Sequence, residues 1–407
     1  MARVVVLYST SGGGHLSAAR ALEEGLVRTG GGAVEVQLVD AVGRYSSRAV
    51  RMLPAMYSRV SRSPALWFAW YLLVAGPRRS RLVDAVTGRL CRRRSAALFT
   101  DHPADLYVSV HPALNGPVVA ALRREGPAGA RFATVVTDLV TMSPLWFCAD
   151  ADLCVVPTAG AARLALGSGM PAERLRTAPY PVAESYFGPD GGTSSRREAR
   201  AVLGVADDAR VVLVVGGAEG VGPIAQVVAA LDAAATGLVV LAVCGRNRGL
   251  AARLAAGRWR NEVRVIGLAP DLVGLLRAAD VVLTKAGPAT LLEAAAVRVP
   301  TVVFHRLPGQ EEGNVDHVVT AGAAVEAPTP KDAAAAAVRL LDEEAAAQRM
   351  RHAQTRLAAP GASAVVAGLL LGLVAPVAGP QVPQPVPLPL QRRRGVRRVR
   401  RLRGAAA

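Results

Sequence analysis

The sequence predicts an α/β chain of two Rossmann-like domains facing a cleft, and three observations predict it. Apolar, β-branched runs of strand length alternate with amphipathic helical stretches, the pattern of a parallel sheet covered by helices. That pattern begins twice, each time as a strand running through a glycine-rich turn into a helix, at residues 3–27 and again from residue 210. The 407 residues also exceed what one core fills, so two domains are expected. Hydrophobic residues at 51% with aromatics at 4% fit a globular chain rich in Ala, Val and Leu and exclude a disordered one.

Residues 3–8 form a β-branched run typical of a buried parallel strand. STSGGGH follows at residues 9–15, then an apolar-periodic helix over residues 16–27. Consecutive glycines let a backbone or ligand approach closely, and His15 lies at the helix N-terminus, where the dipole disfavours its protonated form. A neutral imidazole there can act as a general base near neutral pH, although the turn is equally compatible with His15 as a helix cap. The G-x-G-x-x-G spacing is missing, which argues against the usual dinucleotide fold. Residues 34–39 read as the second strand. Residues 45–94 carry Trp67, Phe68, Trp70 and Tyr71 in an apolar run flanked by arginines, which suits either an in-plane membrane element or a buried helix. Residues 105–110 and 131–136 are two more strands, and their carboxyl ends put His111, Thr137 and Asp138 where ligands collect in open α/β sheets. Residues 152–156 continue the sheet, and the Pro- and Gly-rich stretch 178–195 reads as the interdomain connection.

The second unit opens with a strand at residues 210–215 that ends in GGAEGVGPI, residues 216–224. Strands at 237–243, 263–266 and 280–283 lead to the stretch 284–315. There the Ala286-Gly287-Pro288 turn opens a helix, with Pro in the first turn, where its missing N–H costs nothing. Such an N-terminus can turn backbone N–H groups and the positive dipole end toward a diphosphate. Glu293, a turn and a half in, can accept both hydroxyls of a ribose. A strand at 301–304 then delivers a loop with Gln310, Glu311, Glu312 and Asn314, all able to hydrogen-bond sugar hydroxyls. An Ala-rich helix after Lys331 and an apolar stretch from residue 361 close the unit.

Arginines outnumber lysines 46 to 2 in a chain of net charge +17. Eight arginines fall between residues 392 and 403 without an acid, so the rest carries 17 − 8 = +9, still enough to favour an anionic surface. The tail from about residue 376 reads as low-complexity and disordered, and no nucleic-acid fold motif accompanies it. Cys91, Cys148, Cys154 and Cys244 show no C-x-x-C pair, so neither a disulfide framework nor a zinc site is indicated, and a reduced cytosolic compartment fits. The N-terminal apolar run is too short for a signal peptide, and no segment reaches the ~20 apolar residues of a membrane-spanning helix.

Four motifs in this order resemble one family over roughly residues 1–360: STSGGGH at 9–15, SVHP with VVTDLVTMSPLWF at 109–147, GGAEGVGPI with CGRN at 216–247, and TKAGPATLLEA with PGQEEGN at 284–314. The family is the two-domain GT-B glycosyltransferases of the monogalactosyldiacylglycerol synthase and processive diacylglycerol glucosyltransferase group. A more distant similarity is to the N-acetylglucosaminyltransferase that completes the lipid-linked peptidoglycan precursor. The resemblance implies an inverting hexosyltransferase that moves galactose or glucose from a UDP-sugar to a lipid acceptor such as diacylglycerol, peripheral on the cytoplasmic face of the cell membrane. A polyprenyl-linked or soluble acceptor is the alternative, and a non-enzymatic phosphate-binding protein driven by the arginine tail is the rival from another class. The resemblance implies His15 as the general base, with Asp138 nearby as a second catalytic group. Gly216, Gly217 and the Gly287-Pro288 turn would hold the diphosphate, Arg246 would lie near the nucleotide, and Glu293 would bind the ribose. Gln310 and Glu311 would take the hexose hydroxyls, with Thr290 and Asn314 completing the donor set. Gly13, Gly14, Trp67, Trp70 and Trp146 would face the acceptor or an anionic membrane surface; neither a metal nor another cofactor is expected, nor a nucleic-acid partner. The implied division is an acceptor domain 1–183, a linker 184–207, a donor domain 208–375 with a closing helix, and the tail. The chain departs from the family in Ala218 and Ala289, where Gly is usual, and in Leu16, where a polar or basic residue is common.

Overall fold

The computed structural model describes residues 1–374 apart from 11, 53–55, 57–58, 62, 75, 189–192 and 270–271; the arginine-rich tail lies outside the described residues. Two six-stranded, all-parallel sheets form the frame. The first joins β1 (Ala2–Tyr8), β2 (Val34–Asp40), β3 (Leu106–Ser109), β4 (Arg131–Val135), β5 (Leu153–Val156) and β6 (Leu175–Thr177) in the order β2-β1-β3-β4-β5-β6. The second joins β7 (Arg210–Val215), β8 (Leu238–Val243), β9 (Glu262–Ile266), β10 (Val281–Lys285), β11 (Thr301–His305) and β12 (Val325–Glu326) in the order β12-β11-β10-β7-β8-β9. Central strands such as β3, β5 and β8 are buried along their whole length, which is why they read as unbroken apolar runs.

The order fixes where a ligand can bind. The chain leaves β1 for one side of the first sheet and returns as β3 on the other; it does the same between β7 and β10. At such a reversal the crossovers cover opposite faces and leave a crevice at the carboxyl ends of the central strands. STSGGGH follows β1, His111 follows β3, Gly216 follows β7 and Gly287 follows β10, so the motifs of both domains stand at the two crevices.

The helices that bear on the site are α1 (Gly13–Gly30), α2 (Pro64–Val74), α3 (Pro77–Asp101), α4 (Thr193–Leu203), α5 (Pro288–Val297), α6 (Glu312–Thr320) and α7 (Ala362–Leu371). In α1 the residues Ala18, Ala19, Leu22, Gly25 and Leu26 recur at helical spacing and are all buried. Full burial of a leucine such as Leu22 stabilises by about 1.5–3 kcal/mol.

Two parts of the chain depart from the division expected above. Residues 193–203, inside the stretch read as linker, form α4, and the buried guanidinium of Arg200 there donates to Asp280 Oδ2 (2.9 Å) and Ala278 O (3.0 Å). A polar sequence thus hides an anchor to the second sheet. The closing helix α7 packs not on the second sheet but on the first, where Val366, Ala367 and Leu370 join Leu22 and Leu26 of α1 in one core. Gly25 makes this possible: a methyl group there would lie 2.6 Å from Ser363 O. The helix is apolar on all sides, so its sequence carries no face by which to choose a partner.

Candidate active site

Between the two domains lies a cavity of about 970 Å³, lined from both sides. From the first domain come Gly13, Gly14, His15, His111, Thr137, Asp138 and Trp146; from the second come Gly216, Gly217, Arg246, Lys285, Gly287, Pro288, Thr290, Glu293, Gln310 and Glu311. Every expected catalytic residue is thus in the cavity wall, and so is every expected donor residue except Asn314.

His15 Nδ1 lies 3.0 Å from Thr137 Oγ1. Its ring meets His111 edge-on with centroids 4.6 Å apart, and Trp146 at 6.1 Å. Burial, only partly offset by a hydrogen bond to the Val110 backbone, depresses its pKa to about 4, so the imidazole is neutral near pH 7. His111 is pushed well below the ordinary histidine value by burial and by His15. Its Nδ1 accepts the Ala113 N–H at 3.2 Å, which leaves the proton of the neutral ring on Nε2.

Asp138 lies one residue beyond the His15 partner but serves other groups. Its Oδ2 accepts the Trp146 indole N–H at 2.8 Å, and its Oδ1 accepts the Gln310 amide from the opposite domain at 3.3 Å. Burial raises its pKa to about 6 against the pull of those bonds. Trp146 is fully buried, so it shapes the cavity and faces no membrane. The indole is too large to leave exposed once Asp138 offers its N–H a partner.

On the donor side, Gly216 permits a tight return: a methyl group there would sit 2.5 Å from Ile224 Cδ1 and 2.6 Å from Val221 O. Gly217 holds φ 70°, open to glycine at no cost. Arg246 Nη1 pairs with Glu219 Oε1 at 2.6 Å on this same loop and is half-exposed. Glu293, buried, accepts the Ser17 hydroxyl of α1, and burial raises its pKa while bonds from Ser17 and Tyr186 pull it down. Ala218 and Ala289 do not hold positive φ, since Arg298 is the only non-glycine that does among the described residues. Their methyl groups face Gly13 and Gly14: a Cβ on those glycines would lie 3.3 Å from Ala218 Cβ and 3.2 Å from Ala289 Cβ.

One expected donor residue needs correction. Asn314 is fully buried and donates to Ala286 O at 3.0 Å, so it braces the turn before Gly287 instead of reaching into the cavity. Glu311 lines the cavity with its carboxylate already bonded within the protein: Oε2 accepts the Leu307 N–H at 2.9 Å, and Oε1 pairs with Lys285. Trp67 and Trp70 line the same cavity: Trp67 is buried against Val221 and Leu307 of the second domain, with its N–H on Pro308 O at 3.2 Å, and Trp70 packs beside it. Helix α2 therefore bridges the domains, and its exposed large apolar side chains, among the described residues, are Leu66, Phe68 and Leu72. Lys285 and Ser17 escaped the sequence reading, although Lys285 is one of two lysines against 46 arginines, a contrast that marks it.

Residues 15–182 match the family model described as monogalactosyldiacylglycerol (MGDG) synthase, and residues 195–356 the one described as glycosyl transferases group 1. The chain is 31% identical over 369 residues to a probable monogalactosyldiacylglycerol synthase, chloroplastic, of Glycine max, covering 88% of this chain and 69% of the relative. The chain belongs to the monogalactosyldiacylglycerol synthase family. Monogalactosyldiacylglycerol synthase 1 of Arabidopsis thaliana is 30% identical over 81% of this chain and 63% of its own length, so the chain spans about two thirds of these relatives. The GT-B fold is shared with solved structures of low identity. Acinetobacter baumannii MurG aligns over 91% of this chain and 100% of its own with TM-score 0.56 at 16% identity. A calicheamicin glycosyltransferase aligns over 93% and 100% with TM-score 0.57 at 16% identity. Like its family, the chain is a glycosyltransferase, a hexosyltransferase built on two facing sheets.

Proposed function

We propose that this member of the monogalactosyldiacylglycerol synthase family transfers galactose from UDP-galactose to diacylglycerol at a membrane surface, with inversion at the anomeric carbon. One observation carries the reading: a single cavity joins a neutral, buried His15 from the first domain to the glycine turns at 216–217 and 287–288 of the second. The acceptor oxygen attacks the anomeric carbon as its proton passes to His15 Nε2. For Nε2 to receive it, Nδ1 must carry the ring proton, and the Thr137 oxygen 3.0 Å away accepts that N–H. The bond from the anomeric carbon to the diphosphate breaks, and UDP leaves with the electron pair. Backbone N–H groups at the start of α5 meet its charge without a metal. Glu293, on α5 and aimed into the cavity, is the ribose acceptor, exchanging Ser17 for the ribose hydroxyls.

The membrane surface is assigned to α2 and α3. Leu82, Val86 and Leu90, at spacing of four, are 67%, 47% and 54% exposed, beside exposed Arg78, Arg81, Arg89 and Arg93. With exposed Leu66, Phe68 and Leu72 on α2, they supply the apolar and cationic composition of an in-plane contact with an anionic bilayer. Among the described residues no helix is long and apolar enough to cross a membrane. A screen of radiolabelled UDP-galactose, UDP-glucose and UDP-N-acetylglucosamine against diacylglycerol, polyprenyl-linked and soluble acceptors tests the reading. Label in a diacylglycerol product from UDP-galactose supports it; turnover confined to another acceptor class overturns it.

A further inference from the structure

We infer that Lys285 is a catalytic cation that receives the donor's diphosphate, and that Glu311 is its holder instead of a sugar ligand. The inference rests on the UDP-sugar reading above and adds a residue to it. Lys285 ends β10 at the second sheet's crevice, and its side chain, 13% exposed, lines the cavity. The room for it is made by the two turns assigned to the diphosphate. A methyl group on Gly217 would lie 3.2 Å from Lys285 Cε, and one on Gly287 would lie 2.9 Å from Lys285 Nζ. The ammonium therefore stands between the two turns, in space that their missing side chains leave open.

Its carboxylate partner, Glu311, is 4% exposed and anchored by the Leu307 N–H, so it is fixed from the protein side. An ammonium beside the N-terminus of α5 sits at the positive end of a helix dipole, where a cation is disfavoured unless an anion joins it. Glu311 supplies one negative charge; a diphosphate brings more, and would meet the ammonium and the α5 N–H groups together. In a chain with 46 arginines, lysine at this place suits the space: a compact ammonium fits between two turns where a planar guanidinium would press on both. In the reaction, the electron pair released when the sugar–oxygen bond breaks stays on the β-phosphate oxygen, and Lys285 donates a hydrogen bond to that oxygen as its charge grows.

Calorimetric binding of UDP and of uridine to the full chain tests this, using wild type, Lys285→Met, Lys285→Gln, Lys285→Arg and Glu311→Gln. Wild type should prefer UDP over uridine strongly. Lys285→Met should shrink that preference ~10- to 100-fold with uridine affinity unchanged, the scale of one charged hydrogen bond, and should lower kcat alongside. Lys285→Arg should shrink it several-fold, and Glu311→Gln should keep or widen it, because the ammonium remains and loses its competitor. An unchanged UDP preference in folded Lys285→Met overturns the inference; if that variant does not fold, an unchanged preference in folded Lys285→Gln does so. A wild type that binds UDP no more tightly than uridine overturns the donor reading itself, an outcome distinct from failure at Lys285.

Discussion

The hydroxyl of Thr137 lies 3.0 Å from Nδ1 of His15, while the carboxylate next to it in sequence, Asp138, is taken by Trp146 and Gln310. The proposed base is thus oriented by a neutral hydroxyl, and the acid beside it ties the two domains together. Replacing His15 by Ala should cut turnover ~100-fold or more, the usual contribution of a general base. Steady-state kinetics of a variant with native circular dichroism checks it; near-normal kcat would remove His15 from that role. Thr137→Ser should retain activity that Thr137→Val loses.

Acid should weaken the fold through His15. Its folded pKa of about 4 lies below the ordinary 6.5, so the unfolded chain takes a proton first as pH falls. The stability it lends is full above pH 6.5 and is lost as pH drops toward 4. Asp138, raised from 3.8 to about 6, works the other way: its contribution is full below 3.8 and gone above about 6. His15→Gln should therefore flatten the acid decline in denaturant-derived stability between pH 6.5 and 4, by up to about one proton of slope. An unaltered slope would contradict a depressed His15.

Trp146→Phe removes the shortest of the Asp138 hydrogen bonds and leaves a buried carboxylate with only the Gln310 amide, at 3.3 and 3.5 Å from its two oxygens. The expected cost is about 1–3 kcal/mol in chemical denaturation, the penalty of a buried acceptor deprived of a donor. The Asp138→Asn variant in the same background should recover part of it.

Gly14 and Ala289 meet across the cleft, and a methyl group on the glycine would come within 3.2 Å of the alanine's. Gly14→Ala should hold the domains slightly apart and lower kcat several-fold with little change in melting temperature. Adding Ala289→Gly should restore the rate. A double variant as slow as the single one would show that closure does not run through this contact.

Leu82, Val86 and Leu90 form a stripe that is 67%, 47% and 54% exposed, so little packing depends on it. Changing all three to Ser should abolish flotation with anionic vesicles while leaving UDP binding and thermal stability near wild type. Flotation that survives would place the membrane contact elsewhere in the chain.

Sequence by itself determined the periods and the punctuation. β-branched runs and glycine turns place both crevices, because strand and helix spacing are local properties of consecutive residues. The motif at 9–15 put His15 at the crevice for the same reason, and Gly216, Gly217, Gly287, Pro288 and Glu293 follow from theirs. Tertiary structure alone decided how the polar groups are spent. Ser17 meets Glu293 across 276 residues and Asp138 meets Gln310 across 172, contacts set by how two separately folded sheets face each other. The same docking buries Trp67 on the loop at 307–308 and sends α7 back onto α1, while packing within the second domain turns Asn314 and Glu311 inward as braces. No local pattern encodes those choices, because each burial depends on an apolar or charged partner that the chain supplies only once it has folded.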